Sequence, residues 1–126
     1  MNDIAREPSL DDLVGSWLTL PDVAERLGTE VGRVRGLVAS GHLIGVKRGQ
    51  RTTFQVPADF LVESDGAVEV LETLRGTLTL LGDAGFADDE ALRWLFSDQE
   101  SLGTTPVAAM RAGRRAEVRR IAQALA

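Results

Sequence analysis

The stretch Leu20-Pro21-Asp22-Val23-Ala24-Glu25-Arg26-Leu27-Gly28, followed by Thr29-Glu30-Val31-Gly32-Arg33-Val34-Arg35-Gly36-Leu37-Val38, decides the architecture. Proline stands early in the first part, an acid follows in the first turn, and glycine closes it. These are the start and stop signals of a two-turn helix, with Val23, Ala24 and Leu27 on one face. Thr29 is then placed to cap a second helix, Glu30 to Ser40. Val31, Val34, Leu37 and Val38 recur at helical spacing and turn inward, and Gly41 ends the helix.

Downstream, Leu43 to Arg48 reads as a strand, Gly49-Gln50 as a turn, and Thr52 to Val56 as a second, β-branched strand. Pro57 closes that strand and starts a short helix through Val62. The order helix, tight turn, helix, hairpin, helix is that of a winged helix-turn-helix, here residues 16–63, with Trp17 packed at its N-terminal edge. After a polar break from Glu63 to Gly66, apolar residues at 67, 70, 71, 74, 78 and 81 predict one helix from Ala67 to Asp83, despite Gly76. Asp88-Asp89-Glu90 open another helix where the dipole favours acids, with Ala91, Leu92, Leu95 and Phe96 inward and Trp94 as a core anchor. Thr105-Pro106 opens a final helical region that Gly113 divides or bends. The predicted fold class is mainly α with a small β-hairpin. A winged helix-turn-helix is followed by a helical C-terminal domain, residues 67–126, packed on it. Residues 1–15 read as a flexible acidic tail, in which Ser9, three residues before Asp12, is positioned to cap one helical turn.

The chain has 126 residues, no cysteine and one histidine. Disulfides, thiol catalysis and multi-histidine metal cages are thereby excluded. No glycine-rich loop runs into Lys-Ser or Lys-Thr, and no serine sits in a nucleophile-elbow pattern. No catalytic residue, metal ligand or cofactor is expected. The N-terminus lacks the basic start and apolar stretch of a signal peptide, and no apolar run could span a membrane. A cytoplasmic, nucleoid-associated protein is therefore expected.

Net charge is −5, but its distribution is uneven. From Glu30 to Val56 five cations face one acid, for a net +4. From Pro57 to Leu102 eleven acids face two arginines, for −9, and from Gly103 onward five arginines face one glutamate, again for +4. The first basic block coincides with the second helix and the hairpin. With its valines inward, that helix presents Glu30, Gly32, Arg33, Gly36 and, on the flank, Arg35. Arginine bonds guanine or phosphate bidentately, the glycines allow close approach, and Thr29 anchors a helix start that favours phosphate. Lys47, Arg48 and Arg51 surround the hairpin turn, as suits a wing on the DNA backbone or minor groove. The candidate DNA-binding residues are therefore Thr29, Glu30, Gly32, Arg33, Arg35, Lys47, Arg48 and Arg51, and the expected partner is duplex DNA. Arg111, Arg114, Arg115 and Arg119 form a second candidate basic surface, opposite Val107, Met110, Val118, Ile121 and Leu125. His42 reads as a loop histidine packed against the hairpin.

Leu20-Pro21, Val23-Ala24-Glu25, Leu27-Gly28, Val31, Val34, Gly41-His42-Leu43 and Val46 together resemble the excisionase and MerR-like winged-helix group. Arg93-Trp94-Leu95-Phe96, Ser101-Leu102, Pro106-Val107, Ala109-Met110, Ala112, Glu117-Val118 and Ala122-Gln123-Ala124 are more specific. They resemble an actinobacterial family represented by a mycobacterial DNA-binding substrate of a membrane serine/threonine kinase, kinase L. The resemblance spans residues 18–126. It implies a winged helix-turn-helix with a helical extension, DNA binding, and affinity lowered by phosphorylation of a threonine in the N-terminal tail. Here the tail holds no threonine, and Ser9 is its one hydroxyl and the candidate phosphosite. The long C-terminal coiled coil of MerR regulators is absent, so their dimer mode does not carry over. The competing reading is a protein-interaction module that keeps the winged fold and docks a partner through its helical extension.

Overall fold

The computed structural model describes residues 8–125. Its first element is a helix, α1 (Leu10–Val14), whose N-cap Ser9 accepts from the Asp12 amide at 3.2 Å. The expected flexible tail therefore does not extend past Pro8, and residues 1–7 of that expectation lie outside the described residues. The cause is apolar: Leu10, Leu13 and Val14 share one face and join the core.

β1 (Trp17–Thr19) leads directly into α2 (Leu20–Leu27). Thr19 and Asp22 cap α2 reciprocally, so two orphan amides of the first turn are satisfied. At its other end the Gly28 and Thr29 amides bond back to Glu25 and Ala24 in a Schellman closure. α3 (Val31–Ala39) starts one residue later than expected, with Glu30 in place of Thr29 at the N-cap and no side-chain cap bond. β2 (Val46–Arg48) and β3 (Thr53–Pro57) form the hairpin, and β1 pairs along the other edge of β3, giving the order β1-β3-β2. The first hairpin strand begins at Val46, not Leu43. Before it, Gly45 lies against β3, where an added Cβ would sit 2.1 Å from the Gln55 carbonyl oxygen.

The segment after Pro57 departs from expectation. Ala58–Phe60 make a single 3₁₀ turn, and β4 (Leu61–Ser64) pairs antiparallel with β5 (Ala67–Val70). Asp65 and Gly66 join them at φ 52° and 82°, positive at both central positions as a type I′ turn requires. The supposed polar break is thus a hairpin turn. The boundary set at residue 67 cuts between paired strands, and the helix expected from Ala67 starts only at α4 (Leu74–Asp83). α5 (Asp88–Leu95), α6 (Pro106–Arg111) and α7 (Arg115–Gln123) complete the chain, with Gly113 at φ 86° dividing the last two.

The whole is a winged helix-turn-helix followed by a helical extension, and one apolar core runs through both. Phe60, fully buried at the junction, packs its ring 5.8 Å from that of Phe96. Val23, Val34, Leu43 and Val56 fill the winged side, and Leu74, Leu81, Leu92, Leu95 and Val118 fill the helical side. Trp94 is half-buried at the edge of that core, not at its centre.

Candidate nucleic-acid interface

α3 is oriented by its buried side. Val34 has no exposed surface, and Val31, Leu37 and Val38 are partly buried around it. The same 3.6-residue period therefore leaves Glu30, Gly32, Arg33, Arg35 and Gly36 exposed. A Cβ built on Gly32 or Gly36 meets no atom within 4 Å, so the helix surface between the two arginines is flat and open. Thr29 is half-buried. The loop after α3 folds back on it, with the His42 and Leu43 amides both bonded to the Leu37 carbonyl, and this sets the hairpin beside the helix. His42 Nδ1 lies 2.8 Å from Ser40 Oγ, and that hydroxyl also reaches the Gly36 carbonyl at 2.8 Å.

The three wing cations divide. Lys47 and Arg51 are exposed. Arg48 is not a free wing cation. Its guanidinium lies 4.6 Å from the Trp17 ring centroid and donates to Asp11 Oδ1 at 2.6 and 3.1 Å and to Gln55 Oε1 at 3.1 Å. This stacked, bonded arginine fastens α1 to the sheet. Its partner Asp11 stands 37 residues away in sequence, so no local pattern marks the pair.

The second basic surface separates in the same way. Arg111 donates to the Asp59 and Leu61 carbonyls at 2.7 and 2.6 Å, tying α6 to the start of β4. Arg114 forms two 2.9 Å bonds to Glu117 and a third, 3.0 Å, to the Leu102 carbonyl. Those bonds hold the Glu117 carboxyl below its ordinary pKa and raise that of Arg114. Arg115 and Arg119 stay exposed, and among the described residues neither forms an ion pair.

One cation that the sequence reading passed over belongs near the interface. Arg75, on the first turn of α4, donates from Nε to the Ser40 carbonyl at 3.3 Å, just past the end of α3. It lies in the acidic block and 35 residues from its acceptor, so only the fold brings it there. Among the described residues no helix is long and apolar enough to cross a membrane.

Two family models match in chain order. That of the winged helix-turn-helix domain of DNA-binding protein Rv2175c matches residues 8–61, and that of the Rv2175c C-terminal domain of unknown function matches residues 71–126. The DNA-binding protein Rv2175c of Mycobacterium tuberculosis (strain ATCC 25618 / H37Rv) is 38% identical over 119 residues, covering 85% of this chain and 78% of the relative. The NMR structure of Rv2175c superposes with a TM-score of 0.76 at 36% identity, covering 88% of this chain and 81% of that one. Sequence and fold agree along both halves, and the chain belongs to the Rv2175c family.

Proposed function

We propose that this protein binds duplex DNA as a transcriptional regulator or architectural protein of the nucleoid. In this reading α3 enters the major groove, with Arg33 and Arg35 reaching base edges or flanking phosphates, and Thr29, Glu30 and Gly32 at the approaching end. Lys47 and Arg51 grip the backbone from the hairpin, and Arg75 extends the grip from α4. The observation that carries the reading is the exposed pair Arg33 and Arg35, set among open glycine positions on a helix fixed by Val34. Membership in a family whose named relative is a DNA-binding protein supports it.

Binding to duplex DNA measured across a salt series tests this proposal. The logarithm of affinity should fall linearly with the logarithm of salt, by about 0.9 per neutralised phosphate. Absence of duplex binding at low salt would overturn it.

Ser9 is the proposed target of a serine/threonine kinase. Its hydroxyl already accepts from a backbone amide at the start of α1, where a phosphate of about −1.5 to −2 charge would be well placed. Asp11, two residues on, holds Arg48, so the modification would act on the α1–hairpin contact. Incubation with a serine/threonine kinase followed by phosphosite mapping tests it. Modification confined to residues after Gly15 would refute it.

A further inference from the structure

The extension carries a cleft of about 500 Å³ between the start of α4 and the outer face of α7. Gly76 and Ala116 form its small-residue floor, and Arg115 and Arg119 stand along one wall. The floor is open because a Cβ on Gly76 would meet nothing within 4 Å. The arginines are one helical turn apart, so their like charges repel unless an anion lies between them. Arg111 and Arg114, their neighbours in sequence, are both consumed by bonds inside the protein, and among the described residues these two are not.

The opposite wall adds two observations. Thr73 lines the cleft and its hydroxyl is buried without a partner, although it occupies the N-cap position of α4. No side chain caps α4, and although the Leu74 amide is taken by the Leu71 carbonyl, the ten-residue helix directs the positive end of its dipole toward this end. Glu72 on the rim supplies one carboxylate, an acceptor for a hydroxyl or amine on the body of a ligand.

We propose that this cleft binds a small phosphate monoester, its phosphate held between Arg115 and Arg119 and its body lying over Gly76 toward Glu72. A guanidinium pairs with phosphate oxygens through two parallel N–H donors, and two guanidinia match the doubly charged, three-oxygen end of a monoester better than the singly charged, two-oxygen end of a carboxylate. The site lies one residue from Arg75, which bonds to the end of α3.

Titration of the full chain with glycerol phosphate, followed through backbone amide NMR shifts, tests the proposal. Saturable shifts are expected at Thr73, Gly76 and Ala116. The Arg115→Gln/Arg119→Gln variant should bind at least about tenfold more weakly, the loss expected when charge-assisted hydrogen bonds are removed. Both side chains are exposed, so the rest of its spectrum should be unchanged. Gly76→Leu, which fills the cleft and keeps both cations, should weaken binding as well. Shifts that grow linearly without saturating, or that saturate equally in both variants, would overturn the proposal. So would movement of these amides by a short DNA duplex but not by glycerol phosphate, which would assign the arginines to the DNA backbone.

Discussion

Arg48 Nη2 lies 2.6 Å from Asp11 Oδ1, and this pair joins the first helix to the hairpin that follows α3. A carboxylate thus occupies one of the three wing cations. The pair is partly solvated, with side-chain exposures of 26% and 64%, so its stabilisation is about 0–1 kcal/mol. Replacing Asp11 by alanine should therefore cost little stability while releasing Arg48 for phosphate. Duplex affinity should rise several-fold and the salt slope should steepen by about 0.9, one added contact. Unchanged affinity and slope would show that Arg48 remains in place through Trp17 and Gln55 alone.

Lys47 and Arg51 are the exposed wing cations, so they should carry the sequence-independent affinity. The Lys47→Ala/Arg51→Ala variant should weaken binding to specific and random duplexes alike. Its salt slope should fall by about two contacts. Arg48→Ala should instead loosen α1, seen as faster amide exchange across Leu10 to Val14, with a smaller change in slope. Equal slope losses in the two variants would contradict this division.

Arg33 is fixed outward by Val34 beside it, on a helix without a side-chain cap. If it reads a base, Arg33→Ala should cost about 1–3 kcal/mol on a preferred site and much less on random DNA. Binding to both with the same loss would make Arg33 a phosphate contact.

The winged unit was legible where its signals are local. Pro21, the first-turn Asp22, Gly28 and the inward valines all lie within a few residues of the elements they set, whereas the Thr19 side of the α2 cap was not read from the sequence. The second hairpin was missed because positions 67, 70, 71 and 74 fit a helical period as well as a strand followed by a helix. Asp65-Gly66, the turn signal that separates the two, sat inside a segment read only as polar. The site was half legible. Exposure of Arg33, Arg35, Lys47 and Arg51 follows from spacing, whereas the fates of Arg48, Arg75 and Arg111 depend on partners 35 to 52 residues away. Those partners are carbonyls or a carboxylate that only tertiary packing brings near.

Gly45 is a sensitive point of the hairpin. An alanine Cβ would lie 2.1 Å from the Gln55 oxygen and 2.9 Å from its carbonyl carbon, both backbone atoms that cannot turn aside. Gly45→Ala should push β2 away from β3 and destabilise the fold by about 1–3 kcal/mol, the range for overpacking. Gly32→Ala, with open space at its Cβ, should leave stability unchanged or improve it, since alanine favours helix by up to about 1 kcal/mol. Urea denaturation of both variants checks the contrast, and a Gly45→Ala protein as stable as the parent would contradict it.

Glu117 and Arg114 link stability to pH at the start of α7. The hydrogen bonds from Arg114 hold the carboxyl below its ordinary pKa, with burial opposing them and the charges of Arg114 and Arg120 adding to them. A carboxyl depressed in the folded state stabilises the fold fully above its unfolded pKa of about 4.3, and loses that contribution as pH falls through the lower, folded value. Arg114, raised in the folded state, stays charged throughout the acid range and does not shape this window. Glu117→Gln keeps the side chain's shape and removes the ionisation. Its melting temperature should lie below that of the parent at pH 6, and the gap should close as pH is lowered past 4. NMR titration of the Glu117 carboxyl carbon measures the cause directly. A midpoint at or above the ordinary glutamate value, or a stability gap that persists in acid, would show that the pair with Arg114 does not hold α7 in place.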